Sequence, residues 1–227
     1  MIQLFPDLIQ GSDAWLAARC GILTASQMKD LITPTGKVAK NDGQRILYYE
    51  LLAQRITRHI DPQYMSDDML RGQEEEVTGR ILYDKTYARV TSCGFIINDE
   101  FGFPLGYSPD GLVGTDGLIE VKSRRAKYQI ATLLKNEVPL EYALQIQTGL
   151  FVSGRQWCDF ISYSAGLPML TIRVLPDPVL QDVISQAFIA FERWAETALD
   201  QYLGLAHSPS PPRLIPTERR DDLEITL

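Results

Sequence analysis

The tightest constraint on how this chain folds comes from Ser108-Pro109-Asp110-Gly111, followed across the turn Gly114-Thr115-Asp116-Gly117 by Ile119-Glu120-Val121-Lys122. Glycine-marked turn residues between short apolar runs predict a hairpin whose second strand is Leu118 to Lys122. Side chains two apart on a strand share a face, so Glu120 and Lys122 lie on one side, and the hairpin brings Asp110 beside Glu120. Val121 points the other way, with its carbonyl left available.

The rest of the chain supplies a frame for that hairpin. Ser12 caps a short helix that Gly21 ends, and Thr24 and Ser26 open a second. From Asn41 to about Arg58 the residues Ile46, Leu47, Leu51, Leu52 and Ile56 share a face, which leaves Arg45, Arg55 and Arg58 toward solvent. A further helix is expected from about Ser66 to Tyr87. Between Ala88 and Arg124 the Val, Thr, Phe and Ile content and the glycine turns predict three strands. Helices over Ala126–Lys135 and Leu140–Ser153 follow, then strands over Gln156–Ser164 and Met169–Val174. From Pro178 to Leu203 apolar residues recur at steps of three and four, as in an amphipathic helix covering the sheet. The expected fold is therefore α/β, a central mixed sheet flanked by helices. It forms one domain over residues 1–205, followed by a Pro-rich, extended tail over 206–227.

Composition narrows the chemistry. Cys20, Cys93 and Cys158 are three and scattered, which gives neither a disulfide framework nor the four ligands of an iron-sulfur cluster, and they are expected as reduced core thiols. With only His59 and His207, histidine-zinc sites and Ser-His-Asp triads lack material. A net charge of -7 argues against a surface that binds nucleic acid everywhere but allows a local basic channel. No apolar run approaches the ~20 residues of a membrane span, and the first nine residues lack the basic start of a secretory signal; a cytoplasmic location is expected.

Any hydrolytic chemistry must then come from carboxylates, lysine or a hard cation. Asp110 and Glu120 are oxygen donors of the kind magnesium accepts while keeping water and phosphate oxygens, and Lys122 stands where it can position a water. A single acidic-x-Lys triplet is about what chance supplies in a chain of this composition. The discriminating features are the preceding Pro109-Asp110, the intervening turn and a series of further blocks.

Those blocks are Trp15-x3-Arg19, Gly21-Ile22-Leu23-Thr24-Ala25-Ser26, Gly72-x3-Glu76, Ser108-Pro109-Asp110-Gly111, Glu120-Val121-Lys122, and Gln145-Ile146-Gln147 followed by Phe151. In this order they resemble the lambda exonuclease family of viral recombinase, YqaJ-type alkaline exonucleases, within the restriction-endonuclease-like PD-(D/E)xK superfamily. The resemblance implies that Asp110, Glu120 and the Val121 carbonyl hold magnesium, with manganese as a substitute, and that Lys122 serves the attacking water. It further implies assistance from Glu76 and from Gln147, with Gln145 as its rival, and a pocket for a terminal 5′ phosphate made by Arg19, Ser26 and Ser108. Trp15 is expected in the core. Arg124, Arg125 and Lys127, after Lys122, form a candidate track for DNA phosphates. Lys37 stands in a loop where lambda exonuclease has an arginine. Met65, Met69 and Leu70 are candidates to wedge a strand end apart, although buried packing is the expectation for them.

By the same resemblance the chain is a magnesium-dependent 5′-to-3′ exonuclease of linear double-stranded DNA. It acts in the cytoplasm of a bacterial host, as a homotrimeric toroid, beside a single-strand annealing protein. The rivals are a restriction-type or repair endonuclease with the same metal site, and an inactive DNA-binding module.

Overall fold

The computed structural model describes residues 1–33, 35–62, 66–205 and 212–219. Seven helices and nine strands are found among them: α1 (Asp13–Arg19), α2 (Met28–Leu31), α3 (Asp42–Thr57), α4 (Asp67–Thr86), α5 (Ala126–Lys135), α6 (Leu140–Ser153) and α7 (Pro178–Gly204), with β1 (Ile2–Phe5), β2 (Leu23–Thr24), β3 (Val90–Thr91), β4 (Phe95–Asn98), β5 (Leu105–Tyr107), β6 (Gly111–Val113), β7 (Gly117–Ser123), β8 (Trp157–Tyr163) and β9 (Leu170–Val174). The caps follow local chemistry. Ser12, Asn41, Ser66 and Asp177 each accept a backbone N–H at the start of α1, α3, α4 and α7, and Gly154 closes α6 in the left-handed region.

The strands form two sheets rather than the single one expected. One has the order β1-β4-β5-β2, the other β3-β6-β7-β8-β9. β6 and β7 make the predicted antiparallel hairpin, with Gly111 opposite Ile119. β7 then pairs parallel with β8, and α5 and α6 provide the crossover that parallel pairing requires. The stretch from Ala88 to Arg124 holds five strands instead of three, because β3 and β5 are too short to show a period of two. β1 was not expected at all: Ile2–Phe5 is extended because it pairs antiparallel with β4.

The second sheet is buried on both faces. Leu118, Cys158 and Phe160 join a large core with α3, α6 and α7, while Ile119, Val121 and Ile161 join a smaller one with Tyr83 of α4. That alternation puts Glu120 and Lys122 on the α6 side of β7 and the Val121 side chain against α4. Two close approaches set the positions of these helices. A Cβ on Gly79 would lie 2.8 Å from Val121 Cγ1, so α4 rests directly on β7. A Cβ on Gly149 would lie 2.7 Å from Tyr107 Cζ, so α6 rests directly on the β5 tyrosine.

Three expectations about helix faces are corrected. Leu47, Leu51 and Leu52 are buried on α3, but Ile46 is 65% exposed. Arg55 does not point to solvent: Nη1 and Nη2 donate to Glu192 at 2.8 and 2.7 Å, and Nε donates to the Gly21 carbonyl at 2.7 Å. Glu192 sits within the apolar stripe of α7 and is buried. Met69 and Leu70 are about half exposed rather than packed inside, and Met65 lies outside the described residues.

Cys93 and Cys158 are buried as expected, Cys20 is only half-buried, and all three thiols are free. No described helix is long and apolar enough to cross a membrane. Of the Pro-rich tail, residues 212–219 are exposed and without regular secondary structure, and the rest lies outside the described residues.

Candidate active site

The hairpin brings its carboxylates and its lysine together. Lys122 Nζ is 2.6 Å from Glu120 Oε1, and Tyr107 donates its hydroxyl to Glu120 Oε2 at 2.9 Å. Asp110 sits just before β6, where its Oδ2 accepts the Val121 amide at 2.6 Å. The amide and carbonyl of one strand residue face the same edge, so the Val121 carbonyl points to the Asp110 side as well. One residue off β7 and two on it thus present three oxygen donors along a single sheet edge.

Glu76 reaches this edge from α4. Of three consecutive glutamates, Glu74 is exposed, and Glu75 is tied to Arg71 at 2.8 Å and to Ser123. Glu76 feels both Lys122 and Glu120, and burial raises its carboxyl above the usual range. Burial and the charge of Glu120 push Asp110 well above that range too, against the pull of Lys122. Burial works against charge on Lys122, but the surrounding carboxylates of Glu120, Asp110 and Glu76 outweigh it and hold the amine well above its ordinary value. These carboxylates favour the charged amine, which is fit to orient a water or steady a developing negative charge.

Three carboxyls crowd one amine here, and a hard cation would favour their ionised forms. Among the described residues no three His, Cys, Asp or Glu side chains converge closely enough to hold an ion by themselves. The donor set is instead two carboxylates and one backbone carbonyl, which fits magnesium, an ion that takes one or two protein carboxylates and keeps several waters.

Of the two candidate glutamines on α6, Gln145 rather than Gln147 reaches Glu120. Gln145 Nε2 donates to Glu120 Oε1, whereas Gln147 Nε2 donates to the Leu175 carbonyl at 2.8 Å and its Oε1 accepts the Asp177 amide at 2.9 Å. Residues two apart on a helix are about 200° apart around its axis, so only one of the pair can face β7. Gln145→Ala is expected to lower the rate of DNA hydrolysis about tenfold or more with stability little changed. Gln147→Ala is expected to cost about 1–3 kcal/mol in urea unfolding, through the unpaired groups it leaves near the start of α7, with the folded enzyme as active as before.

A second cluster adjoins the first. Trp15 Nε1 donates to the Gly94 carbonyl at 3.0 Å and to Ser108 Oγ at 3.1 Å, and the Arg19 guanidinium lies 4.0 Å from the Trp15 ring centroid. Trp15 is thus a wall of the site and only half-buried, contrary to its expected core position. Arg19 Nη2 donates to Thr24 Oγ1 at 3.3 Å, and Ser26 Oγ lies 3.4 Å from the same hydroxyl. Arg19 Nε is buried without a hydrogen-bond partner, and burial lowers the guanidinium to about 10, still charged at neutral pH. Among the described residues its contacts are a neutral hydroxyl and a ring face, which leaves the guanidinium able to receive an anion. Arg19, Trp15, Thr24, Glu76, Arg80 and Asp110 all line one cleft of about 1220 Å³.

The remaining candidates sit apart from this cleft. Arg124 Nη1 donates to Glu141 and to the Tyr142 hydroxyl, each at 2.8 Å, and its Nε is buried without a hydrogen-bond partner. Arg125 pairs with Asp68, and Lys127 lies over the Tyr128 ring; both are exposed. Lys37 is exposed in a turn closed by Thr33 and is not part of the cleft lining. Tyr107, Thr24 and Arg80 were not anticipated. Arg80 carried a signal, one helical turn after Glu76; Thr24 stood inside a block already singled out.

Comparison with known proteins agrees with this geometry. Residues 14–156 match the YqaJ-like viral recombinase domain. The alkaline exonuclease LHK-Exo from Laribacter hongkongensis is 33% identical, with a TM-score of 0.77 over 86% of this chain and 98% of that one. LHK-Exo in complex with dAMP matches at 34% identity and a TM-score of 0.75, over 85% of this chain and 96% of that one. A phage-related exonuclease from Haemophilus somnus 129PT, 11% identical, shares the fold, with a TM-score of 0.57 over 80% of this chain and 96% of that one. Among curated proteins none matches. A domain match through most of the chain, and one-third identity along nearly the whole Laribacter enzyme, place this protein in the YqaJ-like viral recombinase family as a DNA exonuclease.

Proposed function

We propose that the protein is a magnesium-dependent exonuclease that degrades one strand of linear double-stranded DNA from its 5′ end to mononucleotides, leaving 3′ overhangs. The observation that carries this reading is the single cleft shared by Arg19, whose Nε is buried and unpartnered, and by Asp110 and Glu76. Arg19, beside the hydroxyls of Thr24, Ser26 and Ser108, holds the 5′-terminal phosphate. Asp110, Glu120 and the Val121 carbonyl hold the cation, which when bound polarises the phosphoryl group and lowers the pKa of a water.

Lys122 orients that water and Glu76 faces it. Tyr107 and Gln145 hold the Glu120 carboxylate in place. Water adds to the phosphorus between the first and second nucleotides, and the 3′ oxygen of the first departs. The first nucleotide leaves as a 5′-mononucleotide, in keeping with the relative that binds dAMP. The same partition returns a 5′ hydroxyl or phosphate according to which bond breaks; cleavage at the 3′ oxygen leaves a fresh 5′ phosphate on the duplex, ready for Arg19. Exposed Met69 at the cleft is placed to part the strands, and Arg125 and Lys127 are placed to meet backbone phosphates outside it. A homotrimeric ring and a single-strand annealing partner complete the proposal, in line with a family of viral recombinases.

Digestion of linear duplexes bearing 5′ phosphate or 5′ hydroxyl tests this reading. The wild type is expected to prefer the phosphate at least about tenfold, and Arg19→Ala to erase that preference, a loss of about 1.5–3 kcal/mol of charge-assisted binding. Equal rates on both ends, or equal rates on covalently closed circles, would point to an endonuclease with the same metal site.

A further inference from the structure

α4 carries one more charged group into the cleft than the chemistry above employs. Arg80 stands one helical turn beyond Glu76, so both share a face of the helix. Gly79, next to it, rests on Val121 and brings that face against the Asp110 edge of the sheet. Arg80 Nη1 is 3.4 Å from the Asp110 main-chain carbonyl oxygen and Nη2 is 3.1 Å from Ser92 Oγ. Both acceptors are neutral and the first contact is long for a hydrogen bond.

Arg155 ends on the Gly114 and Gly117 carbonyls, outside the cleft, while several other arginines end on carboxylates: Arg55 on Glu192, Arg71 on Glu75, Arg124 on Glu141, Arg125 on Asp68 and Arg173 on Asp159. Among the described residues Arg80 has no such partner, although Asp110 and Glu76 are its neighbours. A guanidinium offers five N–H donors, and this one spends two weakly. Arg80 and Arg19 are the two arginines lining the cleft. They stand at either end of one short stretch of backbone: Arg19 stacks on Trp15, which donates to Ser108, while Arg80 reaches Asp110. Two guanidiniums in one cleft offer two points of attachment for the phosphates of a strand.

We propose that Arg80 grips the scissile phosphate, donating to a non-bridging oxygen, while Arg19 holds the terminal phosphate one nucleotide away. The assignment rests on the exonuclease reading and adds a substrate-binding residue to it. A non-bridging oxygen gains negative charge as water adds to phosphorus, so a guanidinium fixed beside it acts more strongly in the transition state than before it. Its loss falls on kcat more than on KM.

Arg80→Gln keeps N–H donors for Ser92 and the Asp110 carbonyl but removes the charge, which separates a grip on substrate from a structural role. On 5′-phosphorylated linear duplex with magnesium, Arg80→Gln is expected to lower kcat about 10²-fold, with a smaller rise in KM. Binding is measured separately with calcium, on duplexes whose first or third internucleotide phosphate is replaced by a neutral methylphosphonate. Replacement at the first linkage weakens binding by the wild type but not by Arg80→Gln; replacement at the third weakens both equally. Equal penalties at the first linkage, or a near-wild-type kcat for Arg80→Gln while the wild type digests DNA, overturn the assignment. A wild type that leaves linear duplex intact with magnesium overturns the exonuclease reading itself, and the assignment with it.

Discussion

Lys122→Ala is expected to lower kcat on linear duplex DNA by about 10²- to 10⁴-fold, with the protein still folded. Lys122 is a buried ammonium 2.6 Å from Glu120 and is surrounded by carboxyls, so its contribution is a fixed positive charge at the place where water becomes nucleophile. Lys122→Arg is not expected to rescue, because a planar fork does not replace a compact ammonium in a space already shared with Gln145 and Tyr107. Circular dichroism checks the fold, and single-turnover digestion with magnesium checks the rate. A rate within a few-fold of wild type would remove Lys122 from the chemistry.

The largest expected loss of stability lies elsewhere. Glu192 is 1% exposed and receives both terminal nitrogens of Arg55, whose Nε holds the Gly21 carbonyl at the turn leading toward Thr24. Glu192→Ala strands the Arg55 guanidinium half-buried, a change expected to cost about 3–5 kcal/mol. For a chain of this length that lowers Tm by roughly 10 °C or more. Replacing both residues with leucine is expected to recover much of the loss, since an apolar pair leaves no stranded charge. Thermal melts and urea titrations measure both. A Glu192→Ala protein as stable as wild type would show that the pair contributes little beyond packing.

What could be read from the sequence follows the range of the interactions involved. The β6–β7 hairpin, α3, α4, α6 and α7 were legible because caps, turn residues and periodicity are local signals. So was the meeting of Asp110, Glu120 and Lys122, which needs only a hairpin and a period of two. The choice between Gln145 and Gln147 was not, because it depends on how α6 is rotated above β7, a matter set by Gly149 against Tyr107. Nor was the Arg55–Glu192 pair, whose members are far apart in sequence and each of which looks like a solvated charge on its own helix. β1 and β5 were hidden for the same reason, since their pairing with β4 rather than any pattern of their own makes them strands. The pairing of Arg124 with Glu141 of α6 was equally hidden, since the two residues sit on different elements.

The most direct test of the account is binding of manganese, followed by the electron paramagnetic resonance of the free ion, at about pH 6 and about pH 8.5. Burial raises Asp110 and Glu76 above their ordinary values, so protons compete with a cation there, and affinity is predicted to rise with pH as those carboxyls ionise. Asp110→Asn and Glu120→Gln are each predicted to weaken binding by at least about tenfold at both pH values. Manganese bound equally well by the wild type and by both variants would contradict a cation held between these two carboxylates.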